Sequence, residues 1–311
     1  MITNHTIITY FGALLCMLTI FICSCKHDQI PLWPNDTANQ QKSAIRKTFS
    51  IKEDKIITEV NAPTITTYFP RKTHQSGTSI LICPGGGYKV LMHQREGTAV
   101  AKYLNSKGIT AFVLSYRLPK PKTDSTSSQF PLLDAQRAIR LIRSQASQLN
   151  INPNRIGIMG FSAGGHLAST LGTQYKFEGN YKKDAIDKLS ARPDFIVLAY
   201  PVITMKDDYT AKDGKLNLLG NNPHIDLINQ FSNELHVSDN TPPTFLVHAE
   251  NDPLVPIENS IRFYDSLKAH HIYCNMVSFS KGAHGFGLGL YDDQLKTWPE
   301  EFLSWLNSIE Q

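Results

Sequence analysis

The sequence predicts an α/β protein, a mainly parallel, doubly wound sheet with helices on both faces. Three observations carry the prediction. From residue 51 onward, apolar runs of strand length alternate with stretches of helical spacing, the order that crossover helices between parallel strands produce. Two glycine-rich turns, Pro84-Gly85-Gly86-Gly87 and Gly160-Phe161-Ser162-Ala163-Gly164, each follow such a run and precede a helical pattern. With 311 residues, 41% hydrophobic and 19% charged, the chain has the composition of one large or two small globular domains.

Taken in order, residues 51–60 and 64–69 read as an opening antiparallel pair, and 79–83 as a buried strand. A helix ending near Lys107-Gly108 and a strand over 109–116 follow. Residues 132–149 have helical spacing, with Leu133, Ile139, Leu141 and Ile142 facing inward and Arg137, Arg140 and Arg143 outward. The alternation continues with a strand at 156–159, a helix from Ala163, and strands at 195–199 and 244–248. A helix at 257–269, a strand at 273–279 and a last helix at 294–309 complete it. One stretch breaks the rhythm. Between Val202 and Pro242 lie short apolar runs among Asp, Asn, Gly and Pro, and a loop that long inside a compact domain is usually functional. It reads as a small cap, about 203–242, over the C-terminal edge of the strands.

The first 24 residues read as an address. Residues 7–23 carry no charge, are mostly apolar and are short for a membrane span. They end in Ile22-Cys23-Ser24-Cys25, similar to a bacterial lipobox with Cys25 as the acylated residue. That divides the chain into a lipoprotein-type signal (1–24), a polar tether (25–47) and a catalytic domain (48–311). The expected location is outside the cytoplasm, held to a membrane only through the lipid on Cys25. Cys16 and Cys23 belong to the same segment, and Cys83 and Cys274 sit in strand-like runs, so the sequence offers neither a disulfide framework nor zinc spacing. The net charge of +4 is spread over short pairs such as Lys182-Lys183, without the basic, aromatic-laced run of a nucleic-acid binder.

The chemistry centres on Ser162. A Gly-x-Ser-x-Gly turn between strand and helix is the setting of a nucleophile elbow, where the serine backbone is strained and its neighbours need minimal side chains. The earlier triple glycine lets backbone N–H groups approach a ligand closely, so Gly86 and Gly87, with Ala163 after the serine, are the candidate oxyanion donors. No Walker lysine and no Gly-x-Gly-x-x-Gly follows, so a phosphate cradle is excluded. A base and its orienter are expected later in the order Ser, Asp, His. Asp252, past the 244–248 strand, and His284, in Gly282-Ala283-His284-Gly285 past the 273–279 strand, occupy the right edge of the sheet. Among competitors, His166 and His248 read as packed histidines, and Glu250 as a less well placed alternative to Asp252. No metal and no cofactor is expected.

The stretches "LICPGGGY", "EGTAVAKYLNSKGITAFVLSYRLP", "PLLDAQRAIRLIR", "RIGIMGFSAGGHLAST", "TPPTFLVHAENDPLVP" and "KGAHGFGLGL" together resemble the α/β-hydrolase superfamily. Within it they resemble the carbohydrate acetylesterase group, acetylxylan esterase-like or BD-FAE-like. The resemblance implies an α/β-hydrolase fold, with Ser162 as nucleophile, His284 as base and Asp252 as orienter. It also implies a small-acyl, acetyl-type ester of a carbohydrate such as xylan as substrate. The chain departs from the commoner His-Gly-Gly-Gly loop in carrying Pro84 at the first position. Arg117 reads as structural, paired with Asp134, and Tyr88 as either an acyl-pocket residue or a core residue. A serine exopeptidase, a general short-chain esterase and an inactive glycan-binding lipoprotein are the alternatives.

Overall fold

The computed structural model of the chain describes residues 28–33, 48–51, 54–181, 183–206 and 208–309. The expected signal peptide and Cys25 lie outside these residues. The strands are β1 (Gln29–Pro31), β2 (Thr48–Ile51), β3 (Asp54–Ile57), β4 (Thr64–Tyr68), β5 (Ser79–Cys83), β6 (Thr110–Ser115), β7 (Ile156–Phe161), β8 (Ile196–Ala199), β9 (Thr244–Ala249) and β10 (Cys274–Phe279). The helices are α1 (Ala99–Ser106), α2 (Phe130–Ser144), α3 (Ala163–Gln174), α4 (Lys212–Leu219), α5 (Ile225–Gln230), α6 (Glu258–Ala269) and α7 (Trp298–Ser308). None of the helices among the described residues is long and apolar enough to cross a membrane.

Eight strands form one sheet in the order β1-β4-β6-β5-β7-β8-β9-β10. The six from β6 to β10 run parallel, while β4 is antiparallel to both β6 and β1. The central strands are apolar on both sides because each side is covered. Successive residues point to opposite faces. Ile80, Ile82, Ala111 and Val113 join α1 and α7 residues such as Val100, Leu104, Phe302 and Trp305 in one core. Leu81, Phe112 and Leu114 join Ile139, Leu167 and Phe263 from α2, α3 and α6 in the other. This is the doubly wound architecture expected from the alternation, and it agrees with the α/β-hydrolase fold that the resemblance implies.

Three expectations need correction. The opening antiparallel pair is not 51–60 with 64–69. Strand β3 pairs with β2 in a separate two-stranded sheet, and β4 pairs with β1 and β6. Nor are all of residues 25–47 a tether: Gln29–Pro31 form an edge strand, Leu32 is fully buried, and Trp33 Nε1 donates to Asp134 at 2.9 Å. Finally, Arg137 does not face solvent. It is 1% exposed, donates through Nε to Leu32 O at 2.9 Å and grips Asp184 with two bonds of 2.7 Å. Residues 29–33 cover that side of α2, so the guanidinium is buried by a segment far away in sequence. Arg117 does pair with Asp134, at 2.7 Å. Cys83 and Cys274 are both free thiols.

Candidate active site

The parallel strands end at one edge, and the loops leaving β5, β7, β9 and β10 meet there. Ser162 follows β7 directly and begins α3, with φ 52° and ψ −120°, a conformation costly for any residue but glycine. The strain is held by the surroundings: Ser162 N–H donates to Ala199 O, and Ser162 O accepts from His166 and Val202 N–H. Tight packing explains the flanking residue as well. A Cβ on Gly160 would stand 2.1 Å from Gly164 O, so only glycine lets the helix start this close to the strand.

Ser162 Oγ lies 2.8 Å from His284 Nε2, and His284 Nδ1 lies 2.6 Å from Asp252 Oδ2. An ionised carboxylate only accepts, so Nδ1 carries the proton and Nε2 is left to accept from the serine hydroxyl. Asp252 is itself fixed, since its Oδ1 accepts Leu254 N–H and Val255 N–H, both at 2.9 Å. Behind it, His248 is fully buried, bonded to Ser260 Oγ and Val255 O, with Nε2 3.4 Å from Asp252 Oδ2. Burial alone would raise the Asp252 carboxyl. Hydrogen bonds from His248, His284 and Val255 N–H outweigh it and hold the group well below the usual carboxylate range. Glu250, the competitor, is exposed and bonds to Ser278 instead. The two loops are stapled together by Asn251, whose side-chain oxygen accepts Gly282 N–H and Ala283 N–H.

Across the serine runs the glycine loop. Gly86 has φ +127°, and a Cβ there would stand 2.3 Å from Val90 O, so the loop's course requires glycine. The N–H groups of Gly86, Gly87 and Ala163 donate to no atom of the described residues, and Gly86 and Gly87 line the cleft with Ser162. Tyr88 is the one site candidate the structure moves elsewhere. It is 2% exposed and packs on Tyr116, and its hydroxyl lies 2.8 Å from His166 Nδ1 in the core. Its φ of 58° turns the side chain inward at the end of the glycine run. His166, fully buried, bonds Tyr88 on one side and Phe231 O on the other; burial pulls its pKa down to about 4, so it stays neutral.

The cleft above Ser162 has a volume of about 660 Å³, within the usual range for a small-molecule site. Met92, Val202 and Val255 supply apolar wall, and the cap segment supplies Asp208, Thr210, Lys212 and Asp213. Thr210 Oγ1 is buried without a partner among the described residues. Sequence reasoning did not single out these cap residues, nor Arg95, Glu96 and Tyr200. Glu96 lies at the cleft floor beside the glycine loop, and burial pushes its carboxyl up against the pull of Tyr200 O–H and Gly85 N–H. No group of three or more His, Cys, Asp or Glu among the described residues is placed to hold a metal ion.

Residues 65–267 match the family model of BD-FAE, nearly two thirds of the chain. The chain belongs to the BD-FAE family. An acetylxylan esterase of Xylanibacter ruminicola is 38% identical over 241 residues, covering 75% of this chain and 46% of that protein. An endo-1,4-beta-xylanase B of Butyrivibrio fibrisolvens is 40% identical over 210 residues, covering 66% of this chain and 32% of its own. The chain therefore spans half or less of the length of these curated relatives. Among solved structures, an acetyl ester-xyloside bifunctional hydrolase from Caldicellulosiruptor lactoaceticus superposes with TM-score 0.76 at 38% identity, covering 91% of this chain and 97% of that one. A Lactobacillus plantarum carboxylesterase shares the fold, with TM-score 0.68 at 23% identity.

Proposed function

We propose that this member of the BD-FAE family is a serine carboxylic-ester hydrolase that removes small acyl groups, acetyl above all, from polysaccharide or oligosaccharide hydroxyls such as those of xylan. One observation carries the reading: the Ser162–His284–Asp252 chain of hydrogen bonds opens onto a cleft beside three backbone N–H groups, those of Gly86, Gly87 and Ala163, that donate to no atom of the described residues. In the first half-reaction Ser162 Oγ bonds to the ester carbonyl carbon and its proton passes to His284 Nε2. Asp252 holds the imidazole in the accepting tautomer, and Gly86, Gly87 and Ala163 N–H stabilise the oxyanion. The ester C–O bond breaks as Nε2 returns the proton to the sugar oxygen. Water then repeats the cycle on the acyl-enzyme and frees the acid.

The sugar as alcohol is supported by the xylan-related names of two relatives and by the polar cap wall. Hydroxyl-rich rings suit Asp208, Thr210, Lys212 and Asp213 better than a fatty chain does. We propose further that the mature chain acts outside the cytoplasm, lipidated at Cys25 after removal of residues 1–24, a reading supported by the uncharged 7–23 stretch and the lipobox-like Ile22-Cys23-Ser24-Cys25. An acyl-length series tests the substrate class: p-nitrophenyl acetate is expected to be cleaved with kcat/KM at least tenfold above the octanoate ester. Equal rates would overturn the small-acyl assignment, and preferential cleavage of dipeptide amides would favour the exopeptidase alternative.

A further inference from the structure

Glu96 is a buried carboxylate at the cleft floor to which the steps above give no part. It is 3% exposed, and its two oxygens reach two different parts of the site. Oε2 accepts Gly85 N–H at 2.8 Å, in the loop that supplies the oxyanion amides. Oε1 accepts Tyr200 O–H at 2.8 Å. The Tyr200 oxygen in turn accepts Gly287 N–H at 3.0 Å, three residues past His284, and the Tyr200 ring stands edge-on to His284 with centroids 5.0 Å apart. Contact with the serine side is close as well. The point where a Gly85 Cβ would stand is 2.8 Å from Glu96 Oε2 and 2.9 Å from Ser162 Cβ.

The backbone bends to deliver this side chain. Residues Gln94–Thr98 form a single π turn ahead of α1, closed by Thr98 N–H to His93 O at 2.8 Å. Such widened turns are frequent at functional sites. An apolar side chain at position 96 would avoid the desolvation of a carboxylate, yet would leave Gly85 N–H without its acceptor. The hydrogen bonds are what the carboxylate provides, and through them this residue links the glycine loop to the Tyr200 hydroxyl and so to the His284 loop.

Resting on the serine-hydrolase reading, we propose that Glu96 is a positioning residue for ester hydrolysis, holding the oxyanion amides and the His284 loop in register around Ser162. The test uses the full chain with Glu96→Ala, Glu96→Gln and Tyr200→Phe beside Ser162→Ala, assayed by saturation kinetics on p-nitrophenyl acetate with circular dichroism as the check on folding. Glu96→Ala is expected to lower kcat by about 10² or more while KM stays within about threefold, since misplaced reacting groups cost that much without weakening ground-state binding. Glu96→Gln keeps an oxygen for Gly85 N–H and offers N–H to the Tyr200 oxygen, so it recovers about tenfold or more. Tyr200→Phe keeps the ring, loses the link to Gly287, and lowers kcat by about tenfold.

A folded Glu96→Ala protein with kcat within threefold of the parent overturns the proposal, as does a Gln variant no better than Ala. Should the Ala variant not fold, Glu96→Gln and Tyr200→Phe decide, and parental kcat in both overturns it. Hydrolysis that depends on Ser162 but ignores Glu96 sinks this inference alone. A parent chain without Ser162-dependent hydrolysis sinks the functional reading beneath it too.

Discussion

Asp252→Asn exchanges one oxygen for an NH₂ group, and the surrounding bonds dictate which way the new amide must turn. Oδ1 accepts Leu254 and Val255 N–H, so the amide oxygen stays there. Turning it round would set NH₂ against two N–H donors and leave both unsatisfied, at about 1–3 kcal/mol each. Even the low end, about 2 kcal/mol for the pair, favours the first orientation roughly 30-fold. The amide N–H₂ then faces His284 Nδ1, now 2.6 Å from the carboxylate oxygen. Nδ1 must accept, the ring proton moves to Nε2, and Nε2 can no longer take the Ser162 proton. The expected loss in kcat is about 10⁴, roughly 5 kcal/mol of barrier, with KM within a few-fold. Steady-state hydrolysis of p-nitrophenyl acetate measures it, with Glu250→Gln as the neighbouring control, expected within twofold of the parent. The reasoning is refuted if Asp252→Asn keeps more than a tenth of kcat, or if Glu250→Gln loses as much.

Gly86→Ala forces the loop to shift, because the new Cβ would meet Val90 O at 2.3 Å. A kcat reduced by about 10²–10³ is expected, and an unchanged kcat would contradict the role given to this loop. His166, with its pKa drawn down by burial to about 4, stays neutral in the fold while the unfolded chain takes up a proton below about 6.5. Stability is therefore lost as pH falls from about 6.5 towards 4, by on the order of 3 kcal/mol from this group. Urea melts at pH 7.5 and 4.5 should show a smaller drop for His166→Gln than for the parent, and equal drops would contradict the account. A chain beginning at residue 48 loses Leu32 and the acceptor of buried Arg137 Nε. It should unfold at lower urea than one beginning at residue 26, by several kcal/mol from lost burial and an unsatisfied donor; matching midpoints would refute this.

The doubly wound framework and the place of the candidate site were legible because their signals are local. The elbow needs Gly160 beside Ser162, the triple glycine follows a strand, and Asp252 and His284 each stand just past an apolar run. What the sequence hid depends on partners distant in the chain. Arg137 reads as a surface residue by helical period, and it is buried by partners distant in the chain, residues 29–33 on one side and Asp184 and Asp187 on the other. Tyr88 sits in the right loop, yet its positive φ, which no pattern announces, turns it to His166. Glu96 looks like an ordinary acidic residue near a helix start. Its partners, Gly85 and Tyr200, come from two other loops. A charged residue between a glycine turn and an apolar helix, at the head of one of the family-like stretches, was the signal available. It is shared by many solvent-facing helix starts.

The most direct test of the central claim is acetate release from acetylated xylan by the chain from residue 26 to 311, run beside Ser162→Ala. The account predicts release by the parent and a fall of about 10⁶ in the variant, to background. Equal release by both would contradict Ser162 as nucleophile, and absence of release by the parent would remove xylan acetyl groups as the substrate.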